Sequence, residues 1–187
     1  TDIQSQQAFP IESNIFEFLS EYDLNLQKNL VLDSKCGNVQ VQQSVGLFRM
    51  NRAVQYPFFP VVDTFNTKDS LTGIIVDKLE QILPLFPSEI KIDSVRNEKV
   101  LKVSTLFTSS NNSGLMSSNF MLSPDPQQNP FLKLLGQSGK VLSALSSLKS
   151  GGKLMLISDS KFLSDEGGMS IPDNMVFLMN AVDYLSD

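Results

Sequence analysis

The sequence predicts an α/β protein with a central mixed sheet flanked by helices. Three observations predict it. Short apolar or alternating runs of strand type recur along the chain, at Leu30–Asp33, Val39–Phe48, Leu101–Phe107, Val141–Leu148 and Lys153–Ile157. Patterns of helical period stand among them, near Asn14–Asp23, over Leu71–Leu83 and after Asp173-Asn174. The last strand runs through a polar loop into the last helix, the strand-to-helix succession of α/β folds. At 187 residues, 41% hydrophobic and 19% charged, the chain is expected to form one domain, residues 1–187, with a single sizeable core.

Taken in order, residues 1–12 are polar and Gln-rich and are expected to fray. Asn14 and Glu17 have capping-box spacing, and Ile15, Phe18, Leu19 and Tyr22 share one helical face that ends near Asp23. Leu30–Asp33 is a short buried strand, and Val39–Phe48 alternates well enough for another. Tyr56-Pro57-Phe58-Phe59-Pro60 cannot be a central strand or a helix interior, because proline lacks the donor and fixes φ. Its rings either cover the core or form a partner-binding patch. Leu71, Ile74, Ile75, Leu79 and Ile82 suit a helix before Pro84, although Ile74-Ile75-Val76 also has strand character.

Leu101–Phe107 alternates as a strand. Residues 108–130 are rich in Ser, Asn and Pro and predict a long loop with one short strand near Asn119–Leu122; loops this long are commonly functional. Lys149-Ser-Gly-Gly152 joins Val141–Leu148 to Lys153–Ile157 as a hairpin. From Asn174 onward the residues are apolar nearly all round, predicting a mostly buried final helix, with Asn180 bonded to nearby backbone.

Composition narrows the chemistry. Histidine is absent and cysteine occurs once, which removes Ser-His-Asp and Cys-His catalysis, His-ligated zinc and any internal disulfide. Cys36 reads as a half-buried small side chain rather than a reactive thiol. The net charge of −5, without a basic stripe, argues against a nucleic-acid partner. No apolar run reaches the roughly 18–20 residues that cross a bilayer. The chain begins at Thr1, as though cut from a longer protein, so any membrane anchor is expected outside it.

Ser150-Gly151-Gly152-Lys153 is no phosphate loop, since position 146 is Ser, position 154 is Leu and a strand follows. Asp159, Asp165 and Glu166 form an acidic loop cluster whose spacing fits no EF-hand. As paired carboxylates they are the rival, enzymatic possibility, because acid–base work can proceed without histidine. Asn111-Asn112-Ser113 matches a glycosylation triplet, a pattern that also arises by chance. The candidate ligand- or partner-facing residues are Tyr56, the run Thr108, Ser109 and Ser110, and Asp159 with Ser160 just after a strand, where α/β proteins place ligands. No catalytic residue, metal ligand or cofactor is assigned. A concave pocket lined by Thr108–Ser110 and Tyr56 would make the chain a sugar- or peptide-binding module.

Several of these pieces occur in a telling order: Leu30-Val-Leu-Asp33, Cys36, Tyr56–Pro60, Thr108-Ser109-Ser110, Lys153–Leu163, Asn174 and Asn180–Leu185. The series resembles the GldG-type auxiliary component of ABC transporters, named for its association with gliding motility. The resemblance implies an amidotransferase-like domain related to that of intraflagellar transport proteins, without the amidotransferase nucleophile and base. It further implies a membrane-anchored protein with its domain on the periplasmic, extracytoplasmic side of the inner membrane. The implied partners are the permease and ATPase subunits of the same system, and the implied role is binding in export or gliding. Two positions depart from the family: Asp23 follows Tyr22 where a glycine is frequent, and Tyr184 stands where a tryptophan is frequent.

Overall fold

The computed structural model describes residues 6–45, 48–66, 72–125, 127–129, 131–165, 167–168 and 171–186, and the side chains of residues 44, 45, 48 and 132 are left undescribed. Helix α1 (Ile15–Ser20) is followed by β1 (Asn25–Leu26), β2 (Leu30–Asp33), β3 (Cys36–Val45) and β4 (Phe48–Pro60). A 3-10 turn at Gly73–Val76 precedes β5 (Ile90–Lys91), β6 (Val100–Thr108) and β7 (Ser113–Met116). A second 3-10 turn at Phe131–Leu134 leads to β8 (Val141–Leu148), β9 (Lys153–Ile157) and α2 (Pro172–Ser186).

Helix and strand are mixed, as the sequence predicts, but the sheet is not one central mixed sheet. The described strands form four small sheets, β1-β5, β2-β7, β3-β4 and β6-β8-β9, and every ladder is antiparallel. A parallel pair needs a long crossover, usually helical. Between β2 and β9 the described chain offers only two 3-10 turns.

The strands predicted at Leu30–Asp33, Val141–Leu148 and Lys153–Ile157 form with those bounds. Gly151 adopts φ +92 in the hairpin turn, a conformation glycine enters without steric cost. The strand predicted over Val39–Phe48 begins earlier, at Cys36, and Phe48 already belongs to the returning strand. The proline-rich segment ends β4 opposite a register shift: Asn38 pairs Gln55 and Cys36 pairs Pro60, so Tyr56–Phe59 leave the ladder. Tyr56 and Phe58 are buried there with Leu32, Met116 and Phe131, so these rings cover the core.

Other expectations are corrected. Among the described residues the helix predicted over Leu71–Leu83 shrinks to the 3-10 turn Gly73–Val76. Gly73 and the β-branched run Ile74-Ile75-Val76 disfavour an α-helix, and Lys78 at φ +61 ends any continuation. Within residues 108–130 the strand is Ser113–Met116, paired with β2, while Met121 makes only a single bridge to Gln7. That bridge, with the Ala8 N–H donated to the Phe120 carbonyl at 2.9 Å, pins part of the segment expected to fray; residues 1–5 lie outside the described residues. Asn14 makes no side-chain cap, and Ser13 Oγ accepts the Ile15 N–H instead, at 3.3 Å. Asp23 adopts φ +58, a left-handed conformation that favours glycine.

Among the described residues three apolar clusters fill the interior. The largest joins Ile75, Val76 and Ile82 to Leu106 and Phe107 of β6, Leu142 and Leu145 of β8, and Phe177 and Ala181 of α2. Phe177 is fully buried, with its ring centroid 5.5 Å from Phe107 and 5.9 Å from Phe162 in edge-on geometry. Helix α2 buries only this stripe with Asn174, whereas Val176, Met179, Val182 and Leu185 are exposed. The mostly buried helix of the sequence prediction is therefore a one-sided one. Among the described residues no helix is long and apolar enough to cross a membrane.

Phe177→Ala is expected to cost about 3–5 kcal/mol, the range for emptying a buried phenylalanine site. Equilibrium urea unfolding checks this, with Val182→Ala, on the exposed side of the same helix, expected to stay within about 0.5 kcal/mol.

Candidate functional site

Asp159 after β9 and Asp173 and Asn174 at the amino end of α2, where sequence placed a ligand, are engaged by another part of the same chain. Between the 3-10 turn and β5, residues 77–89 carry no helix or multi-residue strand. Such backbone, when buried, must find hydrogen-bond partners elsewhere. It finds them on short polar side chains. Asp173 Oδ2 accepts the backbone N–H of Glu80 at 2.8 Å and of Gln81 at 2.9 Å. Asn174 accepts the Leu83 N–H at 3.0 Å and donates to the Leu83 carbonyl at 3.2 Å, a two-way clasp. Asp159 Oδ2 accepts the Leu85 N–H at 2.8 Å, while its Oδ1 accepts the Lys161 N–H at 2.7 Å. Asn29 Oδ1 accepts the Glu89 N–H at 2.9 Å. Backbone bonds between Val62 and Ile82, and from the Phe86 N–H to the Phe58 carbonyl, complete the seam.

Asp159 is buried, and burial pushes its carboxyl above the usual aspartate range against the opposing pull of the N–H donors of Leu85 and Lys161. Two polar residues at one strand end thus act differently. Asp159 faces inward as a backbone acceptor, and Ser160 is exposed.

Beside this seam lies a groove of about 410 Å³. Residues 8–11 and Phe16 of α1 form one wall, while Leu26, Leu30, Phe86 and Phe120 supply further apolar lining. The polar lining comprises Gln27, Lys28, Asn29, Ser88, Ser158, Asp159 and Ser160. Phe9 and Ile11 are 67% and 75% exposed, so the apolar rim is open to a partner. Ser158 Oγ is buried and has no hydrogen-bond partner among the described residues. A groove of this size, with rings and aliphatic side chains beside polar groups, suits an apolar segment or small amphipathic molecule.

The other candidate residues are placed elsewhere. Tyr56 is buried, its hydroxyl donated to the Leu122 carbonyl at 2.6 Å, and its ring stands behind the groove-lining Phe86 at 5.9 Å. Burial raises its phenol far above the ordinary tyrosine value. Ser109 is buried, bonded through Oγ to the Lys140 N–H at 2.7 Å. Ser110 donates its hydroxyl to Asp33 Oδ1 at 2.6 Å and its N–H to Oδ2 at 2.5 Å, which ties the end of β6 to β2. Thr108, half-buried, closes β6. These four residues do not line the groove.

Asp165 is exposed, no hydrogen bond joins it to Asp159 among the described residues, and Glu166 lies outside them. Among the described residues no group of three His, Cys, Asp or Glu can hold a metal ion. Cys36 is half-buried, and burial raises its thiol. Asn180 donates to the Ile75 carbonyl at 3.3 Å, as its setting in an apolar helix predicts. The residues that sequence reasoning missed are Asn29, Phe9 and Ile11. The polar Asn29 directly before a buried strand was the available signal for the first, and nothing in sequence marks residues 8–11 as a groove wall.

The family described as an ABC-type uncharacterized transport system matches residues 2–181. The chain belongs to this family. Membership makes it an auxiliary component of an ABC transport system, in agreement with the GldG-type resemblance. No curated protein and no solved structure matches the chain.

A carboxyl raised by burial binds its proton more tightly in the folded than in the unfolded state. Its contribution to stability is therefore favourable at low pH, and declines as pH rises from the ordinary aspartate value of 3.8 through the raised folded value. Asp159→Asn, uncharged throughout, is expected to lack this decline. The difference in urea midpoint between wild type and variant, followed across that window, checks the sign.

Proposed function

We propose that this chain is a non-catalytic binding domain of its ABC transport system, working on the extracytoplasmic face of the membrane. Its partners are then the permease and ATPase subunits of the same system, in export or in gliding motility. The groove beside β9 receives an apolar segment of a partner protein or of the transported substrate. The observation that carries the proposal is the open apolar rim at Phe9 and Ile11 above a lining of further rings. Solvent-facing apolar surface of this kind marks an interaction site.

The absence of histidine supports a binding role, and so does the engagement of Asp159 by two backbone N–H groups, which leaves it serving the fold. The relation to the amidotransferase-like domain of intraflagellar transport proteins belongs with this proposal and is supported by the ordered motifs alone. Anchoring in the membrane through segments beyond this chain belongs with it too.

Affinity purification of the full-length protein from native membranes tests the proposal. Permease or ATPase subunits are expected to co-purify with wild type, and the Phe9→Asp/Ile11→Asp variant is expected to recover at least about tenfold less, since two exposed apolar contacts of about 1 kcal/mol each are lost. Absence of every transporter component from the wild-type eluate would refute it.

A further inference from the structure

Strands β3 and β4 form a two-stranded ribbon whose two edges are built differently. Along the ladder, Val39 pairs Val54, Val41 pairs Arg52 and Gln43 pairs Met50 on one face. Asn38 pairs Gln55, Gln40 pairs Ala53 and Gln42 pairs Asn51 on the other, and all six of those residues are exposed. Among the described residues β3 pairs with no strand except β4, so its outer edge offers unused N–H and C=O groups over Asn38–Val45.

Native proteins blunt a free edge with charge, proline or a bulge, because an unblunted one templates pairing with another chain. β4 follows that rule, carrying Arg49, Arg52, Pro57 and Pro60. β3 does not. From Asn38 to Val45 it holds no charged residue and no proline, and its only irregularity lies before Asn38. A two-stranded ribbon is also marginal by itself in water, whereas three or more strands with one apolar face are stable.

We propose that the β3 edge pairs antiparallel with β3 of a second copy of this chain, joining two ribbons into a four-stranded sheet. A two-fold axis at Val41 sets Val41 against its own copy and Gln40 against Gln42 twice over, keeping the polar and apolar faces continuous across the junction. Charge favours a second copy meeting here. The ribbon from Cys36 to Pro60 carries Arg49 and Arg52 and no acidic residue, while the rest of the chain has thirteen basic against twenty acidic residues, a net of −7. Copies that meet through the ribbons keep their acidic bodies apart. The arginines repel little, because the two β4 strands lie three strand spacings apart, about 14 Å, beyond the Debye length of about 10 Å. Pairing closes on itself and consumes both unblunted edges, leaving only the arginine- and proline-bearing ones outside. This inference is independent of the groove and of any transporter partner.

Sedimentation velocity on the intact chain tests it. Wild type at micromolar concentration is expected to run at twice the 20.7 kDa chain mass. Gln40→Lys/Gln42→Lys sets like charges directly opposite at two positions and is expected to weaken dimerisation about tenfold. Both glutamines are exposed, so circular dichroism of the variant is expected to match wild type. Mixing it with Gln40→Glu/Gln42→Glu is expected to restore the dimer, which a merely misfolded variant would not do. A wild type that stays monomeric, or forms open-ended aggregates, overturns the proposal, and so does a lysine variant that dimerises like wild type.

Discussion

Residues 77–89 have no helix and no ladder of their own, yet they run between the largest apolar cluster and the aromatic one, where Ile82 is fully buried and Phe86 stacks edge-on against Phe59. An unpaired buried amide costs about 1–3 kcal/mol, and the part-buried N–H groups of Leu83, Leu85 and Glu89 are accepted by Asn174, Asp159 and Asn29. Asp173 accepts the exposed N–H groups of Glu80 and Gln81, and backbone carbonyls take those of Ile82 and Phe86. The rest of the structure follows from that constraint. The seam fixes the start of α2 against the end of β9, which places Phe177 over β6 and β8. It also sets Phe86 as a wall of the groove. Asp33 and Asp23 work the same way elsewhere, holding Ser110 and Asn97 by their backbone N–H groups. Where small sheets replace one continuous sheet, short carboxylates and carboxamides supply the acceptors that strand neighbours would have given.

This explains which parts of the fold were legible in the sequence. Leu30–Asp33, Val141–Leu148 and Lys153–Ile157 declare themselves because apolar runs between turn residues depend on local pattern alone. Leu71–Leu83 misled because its apolar spacing is helical while its β-branched residues and Gly73 are not, and long-range clasps from Asp173 and Asn174 decided the outcome. β7 was hidden by its composition, Ser113-Gly-Leu-Met116, in which only pairing with β2 reveals a strand. Gly114 has a specific reason: a Cβ there would meet the Leu134 carbonyl oxygen within 2.1 Å.

The site was legible in its location and not in its chemistry. The polar residues after the last strand stand at the groove, which Asp159 and Ser160 both line. Yet the buried Asp159, with two N–H groups on its carboxylate, serves the fold first, a distinction that depends on a segment more than seventy residues earlier. Tyr56 and Ser109 have become interior supports. The groove is largely apolar, with Phe9 and Ile11 beside Phe16, Phe86 and Phe120, and with the exposed Lys28 and Ser160 as its outward polar groups. The open groove and the uncharged ribbon edge are separate surfaces of the fold: Phe86 and Asp159 of the seam line the groove, and the ribbon edge carries neither.

Amide hydrogen exchange at single-residue resolution tests the seam most directly. Glu80, Gln81, Leu83 and Leu85 should exchange as slowly as amides inside β8 in the wild-type chain, and Asp173→Ala/Asn174→Ala should release Glu80, Gln81 and Leu83 together while β8 stays protected. Fast exchange of those four amides in the wild type, or undiminished protection in the double variant, would contradict the claim that these side chains hold the segment in place.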